Sequence, residues 1–325
     1  MFEIGLPGNV LTLLVALAIL DKSSDLTIDS TIKVAEVTGL GKTTIGFLLV
    51  AFSTSLPELS VSFFSAVDPE MLGVAIGNVL GSNIVNVCLI LGICLLILAL
   101  KNHGAKYQFE GLEVEEARDL YFGLFIASLV PLALIYVGYA SRMVGAFLIA
   151  LFIFHNIQLF RHRKGEKPSG SGSKEAATKY TLLALLGVAG VVGSSYFIVE
   201  SASYIALQMG VPEVVIGATI VAFGTSLPEL ATSVDATKKG YIELALGNVI
   251  GSGFVNITLI LGMALFCGPF RVNISSFSNL VMFSIMANLI LWYFLVNERI
   301  SWREGAILLF MYALFIVTSF GIYKI

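Results

Sequence analysis

The sequence predicts an all-α, polytopic membrane protein of ten transmembrane helices in two inverted-topology repeats of five helices. Three observations support this fold class: the composition, a series of long apolar segments, and two motifs that each occur twice. Of the 325 residues, 57% are hydrophobic and only 13% are charged, whereas soluble domains are about 25% charged. Such a chain is expected to face lipid over most of its surface.

Ten segments are long and apolar enough to cross a bilayer, because about 20 apolar residues span its hydrocarbon core. We expect all of them to be helices, since a helix satisfies its own backbone hydrogen bonds in lipid. The segments are 8–35, 43–65, 72–99, 119–138, 142–160, 180–208, 212–236, 241–266, 275–296 and 302–322.

The basic residues predict the orientation and the division of the chain. If the N-terminus lies outside, most of the 19 Lys and Arg residues fall on the inner side, and cytoplasmic loops are enriched in these residues. We therefore expect an integral, multi-pass protein of the cell membrane with both termini outside and the loop 161–179 in the cytoplasm. That loop is basic and then Gly/Ser-rich, which is typical of a flexible linker. The predicted units are the first five-helix repeat 1–165, the linker 166–179 and the second repeat 180–325.

The two halves carry the same pair of motifs. Thr-Ser-Leu-Pro-Glu occurs at 54–58 and at 225–229, and Gly-Asn-x-x-Gly-Ser-x-x-x-Asn occurs at 77–86 and at 247–256. Because each half has an odd number of spans, the second copy enters the membrane from the opposite face. Inverted repeats of this kind are typical of secondary transporters, with the site near the midplane where the repeats meet.

The first motif places a carboxylate, Glu58 or Glu229, deep in an apolar segment. Its proline removes a backbone donor, so we expect a broken helix and unpaired carbonyl groups near Ala51 and Ala222. One interpretation is that the Ser-x-x-Glu spacing only caps the restarted helix. A carboxyl at mid-bilayer costs about 2.5–3.5 kcal/mol, however, and a cap returns only about 1 kcal/mol. The motif therefore favours a functional carboxylate on an ion path.

The second motif places neutral oxygen atoms on one helix face. Ser82 and Asn86 are four residues apart, as are Ser252 and Asn256, and side chains at this spacing are neighbours on a helix. The motif glycines allow helices to approach closely, and polar contacts between helices are an alternative role for each motif alone. Combined with the two glutamates, these groups form an all-oxygen set that suits Ca²⁺, which takes about six to eight oxygen ligands. The set lacks the Cys and His that softer metals prefer.

The paired motifs resemble the two alpha repeats of the calcium/cation antiporter superfamily, and the resemblance covers nearly the whole chain. It implies a secondary antiporter and not an enzyme, with Ca²⁺ and a counter-transported cation, H⁺ or Na⁺, bound between the broken helices. It implies no resident cofactor, contact with membrane lipid and no nucleic-acid partner, and it leaves the oligomeric state open. The ligands implied, matched motif by motif, are Glu58, Glu229, Asn86, Asn256, Ser55, Ser226, Thr54, Thr225, Ser82 and Ser252, with the backbone carbonyls of Ala51 and Ala222.

One departure from the family pattern concerns the counterion. Sodium/calcium members commonly have Asn at one of the last two motif positions and Asp at the other, whereas this chain has Asn86 and Asn256. One Ca²⁺ or two protons balance the two remaining carboxylates, while three Na⁺ leave an excess charge. Desolvation and mutual proximity also favour protonated carboxyls. We therefore predict Ca²⁺/H⁺ exchange, with Na⁺/Ca²⁺ exchange, which the Thr-Ser-Leu-Pro-Glu motif favours, as the alternative.

Other function classes fit the sequence less well. A passive cation channel could use the same oxygen atoms, but inverted repeats within one chain favour alternating access over a pore. An intramembrane enzyme is disfavoured because the sequence contains none of the catalytic motifs of that class.

On the first span, Asp21, Asp25 and Asp29 recur every four residues. They form either a hydrated, salt-bridged stripe or an ion or proton path beside the site, and Asp29 matches Glu200 in the second half.

Overall fold

The structure, a computed structural model, describes most of the chain, namely residues 5–38, 54–68, 71–101, 107–108, 128–136, 138–162, 174–240, 242–268, 270–271, 274–297 and 299–321. Within these ranges the regular structure is helical apart from four strands of two residues each. The start of the predicted span 43–65, the start of the span 119–138 and the candidate ligand Ala51 lie outside the described residues.

The described ranges contain eleven helices, and every predicted span overlaps at least one of them. Those of the first half and the start of the second are α1 (Gly5–Thr38), α2 (Leu56–Val67), α3 (Leu72–Lys101), α4 (128–136), α5 (Arg142–His162) and α6 (Lys174–Met209). The others are α7 (Glu213–Thr225), α8 (Leu227–Lys239), α9 (Ile242–Val255, Asn256–Ile260 and Leu261–Cys267), α10 (Ile274–Asn297) and α11 (Trp302–Gly321).

Five helical segments are long and apolar enough to cross a membrane, and α7 with α8 forms a sixth candidate span that is bent by 47° at its break. The five are Leu72–Lys101, Ala177–Met209, Ala245–Cys267, Phe277–Phe294 and Trp302–Gly321. The described part of the chain is therefore a multi-pass helical membrane protein. The number of ten spans stays a prediction.

Close backbone contacts between α3 and α7 depend on glycine. A Cβ atom built on Gly77 would lie 2.8 Å from the backbone nitrogen of Ala218, and one on Gly217 would lie 2.6 Å from the carbonyl oxygen of Val74. Neither distance leaves room for a methyl group. The predicted role of the motif glycines in helix approach is therefore confirmed for Gly77.

The last helix of each half packs against the other half. In α5, Gly145 faces Gly262 of α9, where a Cβ on Gly262 would lie 3.0 Å from the carbonyl oxygen of Gly145. In α11, Gly305 faces Gly92 of α3, where a Cβ on Gly305 would lie 2.9 Å from the carbonyl oxygen of Gly92. The two contacts are equivalent, because α3 and α9 carry the same motif.

The four short strands join the halves in the same way. Strand β1 (Tyr107–Gln108) pairs antiparallel with β4 (Arg299–Ile300), and β2 (Tyr139–Ala140) pairs antiparallel with β3 (Phe270–Arg271). Each pair links one loop of the first half to one loop of the second. In both the helix contacts and the strand pairs, an element of each half therefore packs against an element of the other half.

Substituting Gly77 by alanine tests the contact between α3 and α7. Because the added methyl group meets the α7 backbone, we expect Gly77→Ala to lower the free energy of unfolding by about 1–3 kcal/mol. Gly193→Ala on α6 is the matched control, since a Cβ there meets no atom of the described chain within 4 Å. The measurement is the thermal unfolding midpoint in detergent. Equal midpoints for the two variants would contradict the close packing.

Candidate cation site

In both Thr-Ser-Leu-Pro-Glu motifs the serine lies immediately before the start of a helix and outside regular helical geometry. Ser55 has φ −84° and ψ 4°, and Ser226 has φ −87° and ψ 10°. The helix that follows starts afresh in each case, with proline in its first turn. Leu59 N donates to the carbonyl of Ser55 at 3.0 Å, and Leu230 N donates to the carbonyl of Ser226 at 3.1 Å. The two helix starts therefore have the same local geometry.

The serine side chains do not cap the helices that they precede. In the described residues neither Ser55 nor Ser226 makes a side-chain capping hydrogen bond. Instead, Ser226 Oγ donates to Glu58 Oε1 at 3.0 Å, so it contacts the carboxylate of the other motif. The interpretation of these glutamates as simple capping residues therefore does not describe the structure.

The two glutamates are fully buried, and Ser226, three residues before Glu229, contacts the Glu58 carboxyl. Ser252 Oγ donates to Glu229 Oε1 at 3.4 Å, and the hydroxyl group of Thr54 also faces the Glu229 carboxyl. The Oε2 atoms of Glu58 and Glu229 have no hydrogen-bond partner among the described residues. Each carboxylate therefore keeps one oxygen atom that can take a cation or a proton.

No buried positive charge compensates these two carboxylates within the residues whose burial is described. Removing an ionised carboxylate from water costs several kcal/mol unless an opposite charge or a proton neutralises it. The polar groups around Glu58 and Glu229 are neutral hydroxyls, which lower this cost only in part. The arrangement is therefore suited to binding cations.

Asn86 and Asn256 lie at equivalent positions of the two halves, and both are fully buried. Each is part of a π-helical turn, Val85–Ile90 in α3 and Asn256–Ile260 in α9. Such turns occur frequently at functional sites. Neither atom of either side-chain amide has a hydrogen-bond partner in the described ranges. Because buried amides are nearly always hydrogen-bonded, these two amides are candidates for binding a ligand.

The π-helical turns contact the broken helices of opposite halves. The turn that contains Asn256 packs against α2, which carries Glu58, and the turn that contains Asn86 packs against α8, which carries Glu229. Ser82 Oγ lies 3.5 Å from Thr225 Oγ1 at the end of α7. The contacts of the site therefore run between the halves.

The structure buries every expected ligand side chain that was named from the sequence, with no more than 1% of any of them exposed. These residues are Thr54, Ser55, Glu58, Ser82, Asn86, Thr225, Ser226, Glu229, Ser252 and Asn256. Their roles as cation ligands stay a prediction.

The carbonyl group of Ala222 is not left unpaired, so that part of the prediction is wrong. It accepts the N–H of Ser226 at 3.1 Å, and the hydroxyl oxygen of Thr225 lies 3.3 Å from it. The physical reason is the position of Pro228, whose missing N–H would have paired four residues back, with Gly224 rather than with Ala222. A carbonyl oxygen has two lone pairs, so Ala222 can still contribute a ligand.

An asparagine that was not predicted from the sequence holds Glu58 in place. Asn78 Nδ2 donates to the backbone carbonyl of Glu58 at 3.3 Å and to Ser62 Oγ at 3.1 Å. Asn78 Oδ1 lies 3.0 Å from Thr225 Oγ1, which belongs to the other half. The neutral side chain of Asn78 thus connects α2, which carries Glu58, to the end of α7.

Asn248 makes the equivalent contacts in the second half. Its Nδ2 donates to the backbone carbonyl of Glu229 at 3.4 Å and to Ser233 Oγ at 3.0 Å. The sequence carries a signal for both asparagines, since each follows the first motif glycine and each glutamate precedes a serine by four residues. Asn78 follows Glu58 by 20 residues and Asn248 follows Glu229 by 19, so the copies differ by one residue in this interval.

The acidic stripe of α1 is partly paired and partly exposed. Lys22 Nζ lies 3.5 Å from Asp21 and 3.4 Å from Asp25, and Asp29 is exposed. Exposed pairs of this kind contribute about 0–1 kcal/mol. These contacts agree with a hydrated, salt-bridged stripe. Asp21 also lines an open cleft of about 600 Å³ beside Gly224, so the second interpretation, an ion path, stays open.

The fold and the site define a class of protein: a multi-pass helical membrane protein that buries two carboxylates and several hydroxyls beside two π-helical turns. Each turn carries an amide without a partner among the described residues. The chain belongs to the sodium/calcium exchanger family, because the profile described as "Sodium/calcium exchanger protein" matches residues 8–159 and 179–321. The resemblance to the calcium/cation antiporter superfamily is thereby confirmed.

Named relatives extend over nearly the whole chain. The chain is 34% identical to the sodium/calcium exchanger MaX1 of Methanosarcina acetivorans, in an alignment that covers 97% of this chain and 99% of that protein. It is 28% identical to the inner membrane protein YrbG of Escherichia coli, over 86% of this chain and 87% of that protein.

Two solved structures share the fold. The sodium-calcium exchanger NCX_Mj, soaked with Na⁺ and Sr²⁺, superimposes with a TM-score of 0.68 at 25% identity and covers 97% of this chain and 99% of its own. The crystal structure of the H⁺/Ca²⁺ exchanger CAX superimposes with a TM-score of 0.76 at 17% identity and covers 97% of this chain and 87% of its own. The second likeness is one of fold alone.

Asn78→Ala and Asn248→Ala test the contacts that hold the glutamate segments. Each change leaves a buried carbonyl without its side-chain donor, so we expect each to lower the free energy of unfolding by about 1–3 kcal/mol. Asn156→Ala is the control, because Asn156 Nδ2 bonds only to a carbonyl of its own helix in the described residues, that of Phe152 at 2.9 Å. The measurement is thermal unfolding in detergent. A loss no larger than that of the control would contradict the role of these contacts.

Proposed function

We propose that this protein is a secondary active antiporter that exchanges Ca²⁺ for H⁺ across the cell membrane. The observation that carries the proposal is the pair of fully buried carboxylates, Glu58 and Glu229, each of which has one oxygen atom without a partner among the described residues. Membership of the exchanger family supports Ca²⁺ as the transported ion. The count of two carboxylates supports protons as the counterions.

The chemistry of the buried groups supports Ca²⁺ binding. Ca²⁺ prefers about six to eight oxygen ligands in a flexible geometry, and both carboxylate and amide oxygens are present at the helix breaks. Asn86 and Asn256 add amide oxygens that no described residue binds. The remaining proposed ligands are the hydroxyls of Thr54, Ser55, Ser82, Thr225, Ser226 and Ser252, with the carbonyls of Ala51 and Ala222.

The electrostatic environment of the two buried carboxyl groups supports protons as the counterion. Glu58 and Glu229 are both fully buried, and loss of water together with a second carboxylate nearby favours the neutral form of a carboxyl group. Two protons leave the same net charge as one Ca²⁺. Ca²⁺ and protons then compete for the same oxygen atoms, and occupation by one requires release of the other.

Na⁺/Ca²⁺ exchange at the same site is a second candidate. It is favoured by the 34% identity to the sodium/calcium exchanger MaX1 over 97% of this chain. The hydroxyl and amide oxygens around the glutamates are also suitable ligands for Na⁺. The two candidates therefore differ in the ion that replaces Ca²⁺, and not in the residues that bind it.

We further propose ten spans in two inverted repeats, 1–165 and 180–325, joined by the cytoplasmic linker 166–179, with both termini outside. The reciprocal pairing of β1 with β4 and of β2 with β3 supports two equivalent units. Because Ser226 donates to Glu58 of the other half, a relative movement of the halves changes the ligands of that carboxylate. Such coupling supports alternating access.

Flux measurements in proteoliposomes decide the counterion. We expect ⁴⁵Ca²⁺ uptake when a pH gradient alone is imposed, without Na⁺, because protons can displace Ca²⁺ from the two carboxylates. The paired experiment imposes a Na⁺ gradient at uniform pH. Uptake driven only by Na⁺ would replace the proton proposal with the second candidate. Uptake that is the same with and without a gradient of either counterion would contradict the proposal of an antiporter.

Glu58→Gln and Glu229→Gln test the site itself. Each change keeps the shape of the side chain but removes a negative charge that Ca²⁺ requires, so we expect Ca²⁺ exchange to fall at least about a hundredfold, as a loss of about 3 kcal/mol in binding implies. Asp235→Asn on α8 is the control, because Asp235 is exposed and paired with Lys239 at 2.6 Å. Wild-type exchange rates in both glutamine variants would refute the assignment.

A further inference from the structure

A second set of buried hydrogen bonds connects α3 to α10, and α10 to α4, outside the cation site. Asn83 Nδ2 donates to Ser284 Oγ at 2.7 Å and to Asn288 Oδ1 at 3.4 Å, both on α10. Asn288 Nδ2 donates in turn to Ser128 Oγ at 2.8 Å, in α4. None of these four side chains is more than 3% exposed. The bonds therefore connect α3 to two helices that carry none of the proposed ligands.

The position of Asn83 relates this set to the site. It directly follows Ser82, so its side chain points about 100° around the helix from that ligand. It also precedes Asn86 by three residues, two positions before the π-helical segment Val85–Ile90 begins. A π-helical turn departs from the regular hydrogen-bond ladder, and Asn83 lies on the regular helix directly before this departure.

The second half lacks this contact. The position that matches Asn83 in the second Gly-Ser motif is Gly253, which has no side chain to reach a neighbouring helix. The two halves therefore present the same ligand types. In the first half, however, a buried polar residue, Asn83, lies between Ser82 and Asn86 in the sequence and bonds to another helix, whereas no polar residue lies between Ser252 and Asn256.

We propose that Asn83 is a positioning residue for cation binding: its hydrogen bonds to Ser284 and Asn288 fix the rotation of α3 and so direct Ser82 and Asn86 into the site. The proposal rests on the proposed function, since it takes those two residues to be ligands. Rotating α3 away would leave several polar groups unpaired in a membrane interior, where no water replaces the lost bonds. The arrangement with these hydrogen bonds is therefore strongly favoured in free energy.

Cation binding to the purified full chain in detergent tests this role. Thermal stabilisation is titrated with Ca²⁺ and, separately, with Na⁺. We expect Asn83→Ala to weaken the apparent affinity about threefold to tenfold, the effect of losing one buried hydrogen bond. In flux experiments the KM should rise while the maximal rate changes little. If Asn83→Ala does not fold, Ser284→Ala removes one acceptor and should give the same effect.

A double-mutant comparison separates positioning from general stability. In an Asn86→Ala background, Asn83→Ala should cause a smaller further loss of affinity than in the wild type, because one of the two groups that it positions is gone. In the matched Asn256→Ala background from the other half, Asn83→Ala should cause its full loss. Equal losses in both backgrounds, or a lower melting temperature without a change in affinity, would overturn the proposal.

The same titrations distinguish this proposal from the proposed function. Stabilisation of the wild type by Na⁺ but not by Ca²⁺ would refute Ca²⁺ exchange, and the Na⁺ titration would still measure the effect of Asn83. Stabilisation by neither cation would overturn both proposals, because Ser82 and Asn86 would then not be ligands.

Discussion

Burial of two carboxylates at the junction of two helical halves is the constraint on which the rest of the structure depends. Glu58 and Glu229 are fully buried, which is costly in a membrane unless a cation or a proton neutralises them. Ser226, from the second half, donates to Glu58 at 3.0 Å. Because one half supplies donors to the carboxylate of the other, neither half can form the site alone.

Several features of the fold keep this junction compact. Gly77 and Gly217 allow the backbones of α3 and α7 to touch, which brings Ser82 to 3.5 Å from Thr225. Asn78 then fixes the glutamate segment through the carbonyl of Glu58. The reciprocal packing of α5 and α11 and the strand pairs hold the halves together at a distance from the site. The small residues and the polar contacts therefore have complementary roles.

The two halves are equivalent in their contacts but not identical. Asn78 and Asn248 bind the carbonyls of the two glutamates in the same way, so the sequence repeat predicts a structural repeat at these points. Asn83 has no such counterpart, because Gly253 replaces it.

The sequence by itself determined the helical membrane class, the location of a helix in every predicted span and the buried residues at the helix breaks. Hydropathy, proline and motif spacing are local properties, and they act wherever the helix lies. Only the tertiary structure decided that Ser226 contacts Glu58 rather than its own helix, and that Ala222 keeps its hydrogen bond. It also decided that Asn78, Asn248 and Asn83 bond to other helices. Those outcomes depend on which helices are neighbours and on their rotation, and residue spacing along one helix carries no information about either.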